Sequence, residues 1–401
     1  MKSVLIVSHA LEIGGAERAL LAMLELFDYS RYTVDLFLMR QTGDLMNLLP
    51  EQVHLLPEKR PYTGLAVPMA SILKQGMFRV AAGRLEAKVK ARQYCKRNNL
   101  RAENGVELEY SHKYTVSAMP MISEKTYDLV ISFLTPHYFA AQKTKARQKI
   151  AWIHTDYSYV DIDVESERSM WDQYDRIISI SEECTKGFLS KFPELASKVM
   201  LVENLISPTF LRKQSQLETD VVSREMPKDG TWNLLSVGRF TYAKNFDNVP
   251  DICRRILSQG IPIRWYLIGF GGQEEKIRDK IRQNGVQNQV ILLGKKNNPY
   301  PYMAACDLYV QPSRYEGKCV AVREAQILGK PVVITRYATS ASQLRDGIDG
   351  KIVPMDNQGC ADGIVSVLRD QKTRNALEQN CLAEDYSNVA ELEKIYRLIE
   401  K

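Results

Sequence analysis

Short runs of apolar, β-branched residues alternate along the chain with longer stretches in which apolar positions recur every three or four residues. In the first half these runs predict strands over Val4–Ser8, Val34–Met39, Leu129–Phe133, Ile150–His154 and Ile177–Ser181. Several runs are continuous rather than alternating, which is typical of parallel strands covered on both faces. Helical stretches follow many of them, as over Glu17–Phe27 and Glu182–Lys191. The first half therefore predicts a doubly wound α/β domain.

The rhythm breaks between Ser207 and Gly230, where prolines and a polar tract predict an interdomain connection. It then resumes, with strands expected over Leu234–Val237, Trp265–Ile268, Val290–Leu293, Leu308–Gln311 and Val332–Thr335, and helices over Asn245–Gln259, Gln273–Asn284 and Cys319–Leu328. We therefore expect an α/β chain of two Rossmann-like, doubly wound domains, 1–207 and 208–384, facing a central cleft. A last amphipathic helix within 385–401 is expected to pack back on the first domain.

The composition of the 401 residues is that of a soluble globular protein, with 45% hydrophobic and 25% charged residues. It excludes a collagen-like chain, a disordered chain and a disulfide-stapled miniprotein. No run of about 18 apolar residues occurs, so no membrane-spanning helix is expected, and the amino terminus reads as a strand rather than a signal peptide. Seven cysteines without a C-x-x-C pair predict reduced thiols in the cytoplasm.

The net charge of +6 is unevenly distributed. Between residues 59 and 101 there are eleven Lys or Arg residues and one acid, Glu86, with apolar residues interleaved. This pattern fits a basic amphipathic segment on an anionic membrane surface. It fits equally a solvated helix that packs on a domain.

The loops after predicted strands carry the candidate chemistry, because open α/β sheets bind ligands at the carboxyl ends of their strands. Gly14 and Gly15 precede the first helix and fit either a tight turn or the approach of a phosphate. Arg239 and Lys244 follow the first strand of the second domain. The two side chains could bind a diphosphate, the arginine through a bidentate guanidinium and the lysine through a point charge. Alternatively, they are surface charges exposed to solvent.

Two acids and a histidine complete the candidates. Glu316 and Glu324 would lie about 12 Å apart if the segment were helical throughout, which is comparable to the length of a nucleotide-sugar. One carboxylate would then reach sugar hydroxyls and the other a ribose diol, while the amides of 317–320 faced the phosphates. His154 ends a strand beside Asp156. It is either a satisfied core histidine or a functional group at the cleft.

These motifs occur together and in order: G-G-A-E at 14–17, the strand-end His154, G-R-x4-K at 238–244 and E-x7-E at 316–324. Together they resemble the family 4 retaining glycosyltransferases, which have the GT-B fold. The stretches at 325–335 and 346–350 extend the similarity over nearly the whole chain. The sequence S-R-Y-E-G-K at 313–318 is similar to the corresponding sequence of bacterial enzymes that build capsular and other surface polysaccharides. Many members have Phe-Gly after E-G, where this chain has Lys318 and Cys319.

The resemblance implies transfer of a sugar from a nucleotide-sugar, with uridine as the default base, to an acceptor hydroxyl with retention and without a metal or other cofactor. It implies that Arg239 and Lys244 hold the diphosphate, Glu316 approaches the sugar, Glu324 binds the ribose and His154 touches the sugar near the reacting carbon. Further donor contacts are expected from Gly15, Gly294, Lys295, Lys296, Gly317, Lys318, Cys319 and Val320. Acceptor contacts are expected from His9, Gly14, Gly15 and Asp156.

The expected partners are a lipid-linked glycan acceptor and the cytoplasmic face of the membrane, met through 59–101, and not nucleic acid. Four other functions are alternatives. A metal-dependent GT-A transferase could use Asp161-Ile-Asp163, but no clear strand precedes that motif and a solvated helix start is preferred. A nicotinamide-dependent dehydrogenase would need a glycine fingerprint that is missing. A nucleic-acid or membrane binder without enzymatic activity could use the basic segment, but the rest of the chain carries a net negative charge and no base-reading motif appears. A UDP-sugar epimerase of GT-B architecture is the nearest enzymatic alternative.

Overall fold

The computed structural model describes residues 1–12, 14–100, 105–134, 137–155, 157–158, 160–316 and 319–400. The chain forms two compact units. Unit 1 comprises Met1–Leu205 and Asn388–Lys401, and unit 2 comprises Ile206–Ser387. The sequence-based boundaries, after 207 and after 384, lie within three residues of these divisions. Each unit is built around its own parallel sheet.

The strands alternate with helices along both units. In unit 1 the strands are β1 (Lys2–Ser8), β2 (Tyr32–Leu38), β3 (His54–Leu55), β4 (Thr126–Ser132), β5 (Lys145–Ile153), β6 (Arg176–Ser179) and β7 (Val199–Leu201). In unit 2 they are β8 (Trp232–Val237), β9 (Ile263–Ile268), β10 (Val290–Gly294), β11 (Leu308–Gln311), β12 (Val332–Thr335) and β13 (Lys351–Val353).

The helices of the described residues are mostly short. They are α1 (Gly15–Leu26), α2 (Arg60–Thr63), α3 (Met69–Lys74), α4 (Phe78–Arg97), α5 (Val106–Thr115), α6 (His137–Gln142), α7 (Val164–Trp171), α8 (Glu182–Lys191), α9 (Pro208–Ser215), α10 (Thr219–Glu225), α11 (Val249–Ser258), α12 (Glu274–Asn284), α13 (Tyr300–Ala305), α14 (Val320–Ile327), α15 (Ser340–Gln343), α16 (Asn357–Arg369), α17 (Gln371–Ala383) and α18 (Ala390–Glu400). Single 3₁₀ turns occupy Met46–Leu48, Val116–Ala118, Pro193–Leu195, Tyr242–Lys244 and Phe246–Asn248.

Both sheets have the Rossmann strand order. In unit 1 the order is β3-β2-β1-β4-β5-β6-β7, and in unit 2 it is β10-β9-β8-β11-β12-β13. The paired strands run parallel throughout. In each sheet the order reverses between the first and fourth strands, β1 and β4 in unit 1 and β8 and β11 in unit 2. The prediction of two Rossmann-like, doubly wound domains is confirmed, and in such sheets the reversal point is where ligands bind.

The carboxyl-terminal helix α18 completes the core of unit 1. Leu392, Ile395 and Ile399 are at most 2% exposed and pack with the apolar faces of the unit 1 strands. Tyr396 stacks on Tyr32 of β2 with ring centroids 4.9 Å apart. Each fully buried aliphatic side chain contributes about 1.5–3 kcal/mol. The apolar spacing of this segment therefore fixes the last turns of the chain to unit 1.

The stretch from 207 to 230, predicted as an interdomain connection, is helical. It forms α9 and α10, and both belong to unit 2. Leu211, Val222 and Met226 are at most 3% exposed and lie in the core of that unit. A few apolar residues at helical spacing suffice to dock these helices, whose other faces are polar.

The basic segment 59–101 forms α2, α3 and α4, and Arg101 lies outside the described residues. One face of α4 packs against α5, with Val80, Ala87 and Ala91 at most 3% exposed. The opposite face carries Phe78 and Leu85, which are 66% and 60% exposed. Among the described helices, this one included, none has the length and apolar character of a membrane span.

Candidate functional site

The loops that follow β8 and β11 meet at the strand-order reversal of unit 2. We call them the switch-point loops, residues 238–248 and 312–316. The Arg314 amide donates to the carbonyl of Ala243 at 2.8 Å, and the side-chain amide of Asn245 donates to the carbonyl of Pro312 at 2.8 Å. Asn245 takes the left-handed conformation, with φ of 60°. Because of this turn, α11 begins at Val249 rather than at the predicted residue 245.

Lys244 and Glu316, both predicted site residues, are in direct contact. The Nζ of Lys244 lies 2.6 Å from Oε1 of Glu316, and the two side chains are 18% and 12% exposed. Burial alone would lower the pKa of Lys244, but the sulfur of Cys319, which accepts a hydrogen bond, and the charge of the Glu316 carboxylate outweigh burial and raise it. The lysine is therefore held as a cation. Its ammonium has three donors, so the bond to Glu316 leaves donors for an anion.

A chain of hydrogen bonds holds Glu316 from behind. The Tyr309 hydroxyl donates to Gln311 at 2.8 Å, Gln311 donates to Ser313 at 3.0 Å, and Ser313 donates to Glu316 Oε1 at 2.5 Å. The first three residues are fully buried. Sequence reasoning missed them, although polar residues at every second position through the end of an apolar strand are a signal that could have found them.

Arg239 exposes its cation to solvent at the same edge. Its side chain is exposed, and no ion pair to it is found among the described residues. The loop that carries it is fixed by backbone contacts, since the amide of Gly238 donates to Ile268 and that of Phe240 donates to Phe270. A Cβ at Gly269, whose φ is +147°, would lie 1.9 Å from the carbonyl oxygen of Gly238. Only glycine fits there, and sequence reasoning overlooked this residue.

A second pair of charges joins the switch-point loops. Asp247 is 4% exposed and accepts two bonds from Arg314, at 2.9 and 3.1 Å, and one from Lys276 at 2.7 Å. The Arg314 guanidinium also lies 4.1 Å from the ring centre of Tyr242. This arginine was not among the predicted site residues. It ties the loop that carries Glu316 to the loop that carries Lys244.

Glu324 and Cys319 lie on or beside α14. Glu324 is 4% exposed and accepts a 2.8 Å bond from the Tyr300 hydroxyl. Because α14 begins at Val320, the segment from Glu316 is not helical throughout and the predicted 12 Å helical separation does not apply. The Cys319 amide donates to Gln343 Oε1 at 2.7 Å, so it is not free to face a phosphate as expected. Gly317 and Lys318 lie outside the described residues.

The loop after β10 is only partly available for a ligand. Lys295 is exposed and lies 5.7 Å from the ring centre of Phe270. Lys296, by contrast, is paired with Glu225 of α10 at 2.8 Å. Gly294 has a φ of +70° and open space where a Cβ would stand. Of the two predicted lysines, Lys295 is therefore the one that presents its charge to solvent.

The predicted acceptor-side residues lie after β1 in unit 1. Gly14 caps α1 and Gly15 begins it. A Cβ on Gly14 would lie 2.1 Å from a carboxylate oxygen of Glu17, which folds back over the helix start. His9 directly follows β1 and is half-buried, and burial followed by the charge of Arg40 lowers its pKa. Asp156 lies outside the described residues.

His154 follows the last residue of β5 and borders a cavity of unit 1. Its ring lies 4.7 Å from that of Phe133. Burial lowers its pKa to about 4, so the imidazole is neutral at pH 7. Its Nε2 is buried and has no hydrogen-bond partner within the described part of the chain. The geometry is thus not that of a core histidine with both nitrogens satisfied.

The Asp161-Ile-Asp163 motif starts a helix. Asp163 caps α7, accepting a bond from the Ser166 amide, and it also accepts a 2.7 Å bond from the Tyr110 hydroxyl. The predicted helix start is confirmed. No group of three His, Cys, Asp or Glu side chains that could hold a metal ion is found within the described ranges.

Comparison with known proteins finds a family match within unit 2. Residues 221–382 match the model of the family described as glycosyl transferases group 1. This match contains every predicted donor residue of unit 2, from Arg239 to Glu324. The resemblance drawn from the motifs is thereby confirmed at the level of group 1.

Two curated relatives build bacterial glycans. The chain is 30% identical over 145 residues to the N-acetylgalactosamine-N,N'-diacetylbacillosaminyl-diphospho-undecaprenol 4-alpha-N-acetylgalactosaminyltransferase of Campylobacter jejuni, a match covering 36% of this chain and 39% of that protein. It is 28% identical over 147 residues to the lipopolysaccharide core biosynthesis glycosyltransferase LpsE of Rhizobium meliloti, covering 36% and 42%. The chain thus spans about two fifths of the length of these relatives.

A solved structure shares the fold over the full length of this chain. The crystal structure of Anabaena HepE in complex with UDP superposes with a TM-score of 0.61, covering 100% of both chains at 17% identity. The predicted GT-B fold is confirmed at this level.

Proposed function

We propose that this protein is a retaining glycosyltransferase that moves a sugar from a nucleotide-sugar to a hydroxyl of a lipid-linked or growing surface-polysaccharide acceptor. The observation that carries the proposal is the cluster at the strand-order reversal of unit 2, where Arg239 is exposed and unpaired among the described residues and Lys244 is held charged against Glu316. The family match of that unit supports it. A uridine base is supported by the UDP complex of HepE, and a lipid diphosphate acceptor by the name of the Campylobacter relative.

The cluster suits the departure of a nucleoside diphosphate. The bond between the anomeric carbon and the phosphate oxygen breaks, a bond from that carbon to the acceptor oxygen forms, and the acceptor proton passes to the departing phosphate. Negative charge therefore grows on the diphosphate, where Arg239 can bind it as a fork and Lys244 as a point charge. Glu316, fixed by Ser313, accepts hydrogen bonds from hydroxyls of the transferred sugar. Glu324 serves the ribose diol.

The test is a transfer assay with UDP-, GDP- and ADP-sugars and a polyprenyl-diphosphate-linked glycan. The expected result is release of one nucleoside diphosphate that depends on the acceptor, with a product whose anomeric configuration, determined by NMR, equals that of the donor. Activity is expected to persist in EDTA, because the two cations act in place of a metal. An epimerase would instead convert the nucleotide-sugar without an acceptor, and an inverted product would refute retention.

We further propose that one face of α4 contacts the cytoplasmic surface of the membrane. Phe78, Leu85 and Val89 are 66%, 60% and 47% exposed. At the helical rotation per residue they lie within an arc of about 60° around the helix axis, on one face. The exposed Arg79 and Lys88 flank this stripe on either side. Apolar side chains between cations are the pattern of helices that lie in an anionic interface.

Vesicle co-sedimentation tests this contact. Binding to vesicles containing phosphatidylglycerol is expected, with much less binding to pure phosphatidylcholine and a decrease with added salt. Leu85→Glu should weaken it at least about tenfold, since burial of one leucine is worth about 1.5–3 kcal/mol. Leu108→Glu, an equally exposed leucine on α5, is the matched control and should bind as the wild type. Equal loss in both variants, or no preference for the anionic lipid, would contradict this contact.

A further inference from the structure

Three polar side chains on one segment of unit 2 bond to the backbone that follows β11. We call them the clamp residues: Thr335 at the end of β12, Thr339 directly before α15 and Gln343 at the end of that helix. Two apolar residues of the same segment, Tyr337 and Leu344, are 2% and 4% exposed and lie in the core of the unit. The segment that carries the clamp residues is therefore anchored by its own packing.

Each clamp residue bonds to a different residue after β11. The two threonine hydroxyls donate, in the order of the sequence, to the carbonyls of Ser313 at 2.5 Å and of Glu316 at 2.6 Å. Gln343 makes two bonds to Cys319, since it accepts from the amide at 2.7 Å and donates to the carbonyl at 3.3 Å. Every fourth residue of one segment thus holds every third residue of the other.

The residues held in this way are the ones that contact the ammonium of Lys244. Oε1 of Glu316 accepts from Nζ of Lys244 at 2.6 Å, and the sulfur of Cys319 accepts from the same nitrogen at 3.6 Å. Ser313 donates to that same oxygen of Glu316 at 2.5 Å. Both acceptors of the ammonium, and the hydroxyl behind one of them, therefore depend on the clamp residues for their positions.

Gln343 satisfies both backbone groups of a buried residue. Cys319 and Gln343 are 4% and 3% exposed. Buried amides and carbonyls are nearly always hydrogen-bonded, and leaving one unpaired is unfavourable. Loss of the glutamine amide should therefore displace Cys319 until another group or water reaches its backbone. Its sulfur would move with it, and Lys244 would lose one of the two acceptors that fix the direction of its ammonium.

We infer that Thr339 and Gln343 are positioning residues for the donor diphosphate, which act on Lys244 through Glu316 and Cys319. The inference rests on the proposed function and deepens it, since it makes the affinity for the diphosphate depend on residues behind those expected to contact it. A lysine ammonium is a point charge on a flexible four-carbon stem, so its acceptors decide where that charge lies. The same bonds could instead serve only the stability of unit 2, and the experiments separate the two roles.

The first experiment measures affinity and stability side by side. The full-length protein is titrated calorimetrically with UDP, GDP and ADP, and the nucleotide that the wild type binds is used for the variants. Gln343→Met removes both bonds at nearly constant volume and should weaken binding at least about tenfold, as one misplaced charge-assisted hydrogen bond would. Asn233→Leu is the matched control, because it removes a buried amide that donates to the Pro227 carbonyl at 3.0 Å, at the opposite end of β8 from the switch-point loops. It should lower the unfolding temperature and leave the affinity unchanged.

The threonine provides a second, milder change. Thr339→Val removes the hydroxyl that donates to the Glu316 carbonyl, whereas Thr339→Ser keeps it. The valine variant should weaken binding about fivefold, and the serine variant should bind as the wild type does. Thr144→Val removes a hydroxyl bond of the same 2.6 Å length to the Ala140 carbonyl in unit 1, and it should leave the affinity unchanged.

A double-mutant cycle tests whether the two residues act through the lysine. In a Lys244→Met background, Gln343→Met and Thr339→Val should cause no further loss of affinity. Losses that add to that of Lys244→Met would overturn the inference, as would wild-type affinity in both clamp variants or an equal loss in the controls. Failure of the proposed function shows differently, because the wild type itself would then bind none of the three nucleotides, and the inference would fall with it.

Discussion

Replacing Lys244 by methionine should destabilise unit 2 and not only abolish activity. Methionine keeps the apolar stem of the side chain and removes the ammonium 2.6 Å from Glu316. At an effective dielectric constant of about 20 the Coulomb attraction at that distance is about 6 kcal/mol, before the cost of desolvating both groups. Breaking a buried pair by removing one partner costs about 3–5 kcal/mol. Since the two side chains are 18% and 12% exposed, we expect about 3 kcal/mol.

Differential scanning calorimetry and urea unfolding measure this loss. For a domain of this size, 1 kcal/mol corresponds to about 2–4 °C, so the transition of unit 2 should fall by about 6–12 °C. Lys276→Met is the matched control. Lys276 also contacts a buried acid, Asp247, but it is 49% exposed and Asp247 keeps both bonds from Arg314. It should cost less than about 1 kcal/mol.

A double-mutant cycle identifies the cause. Glu316→Gln combined with Lys244→Met removes both charges, so the double variant should be about 2 kcal/mol more stable than the sum of the two single effects predicts. Additive effects, or an unchanged transition temperature in Lys244→Met, would refute the interpretation that the ion pair organises this edge of unit 2.

Three further outcomes follow from the structure. Arg239→Ala should lower the rate of transfer about 10²–10³-fold. Because the side chain is exposed, its unfolding free energy should stay within about 0.5 kcal/mol of the wild-type value. Arg278→Ala on α12 should leave both quantities unchanged, and a wild-type rate in Arg239→Ala would refute the role of Arg239. Gly269→Ala should destabilise unit 2 by at least about 2 kcal/mol, because its φ of +147° is strained for alanine and its Cβ would lie 1.9 Å from the Gly238 carbonyl oxygen. Gly272→Ala, with open space where its Cβ would stand, should leave stability unchanged, and equal effects of the two substitutions would contradict this reasoning. Unit 1 should lose stability on acidification from pH 6.5 to 4.5, because the unfolded chain takes up protons on His112, His137 and His154, whose pKa values burial lowers to about 3, 3 and 4 in the fold. Burial raises the pKa of Glu167 to about 7 and also raises that of Glu109, so these two carboxyls offset part of the loss. A net uptake of at least about one proton gives at least about 1.4 kcal/mol per pH unit, which urea unfolding measures and His112→Gln should reduce; stability that rises on acidification would refute it.

The buried sheets were largely predictable from the sequence. The strands Leu308–Gln311 and Val332–Thr335 begin and end where the apolar runs do, because a strand covered on both faces needs apolar residues throughout. The edge strands His54–Leu55, Val199–Leu201 and Lys351–Val353 escaped prediction. They are two or three residues long, and pairing with a neighbouring strand defines them rather than a pattern of their own.

The candidate site was predictable in its position and not in its contacts. Strand ends at the reversal point of a parallel sheet meet, so the proximity of Lys244 and Glu316 follows from the fold. Their direct ion pair joins residues 72 positions apart in the sequence, and it depends on how the side chains pack, as do the supporting contacts of Gln311 and Ser313. The cavity of unit 1 was missed altogether. Its walls come from α5, α6 and α7, which are brought together only by the tertiary structure.

The measurement that bears most directly on the proposed function is the binding of UDP, GDP and ADP to the full-length protein. Thermal shift and calorimetry should show selective binding of one nucleoside diphosphate. At 100 times its Kd that ligand stabilises the folded state by about 2.7 kcal/mol. The stabilisation should disappear in Glu324→Ala and weaken in Arg239→Ala. No binding of any of the three, or binding that both variants retain, would contradict a nucleotide-sugar site at the switch-point loops.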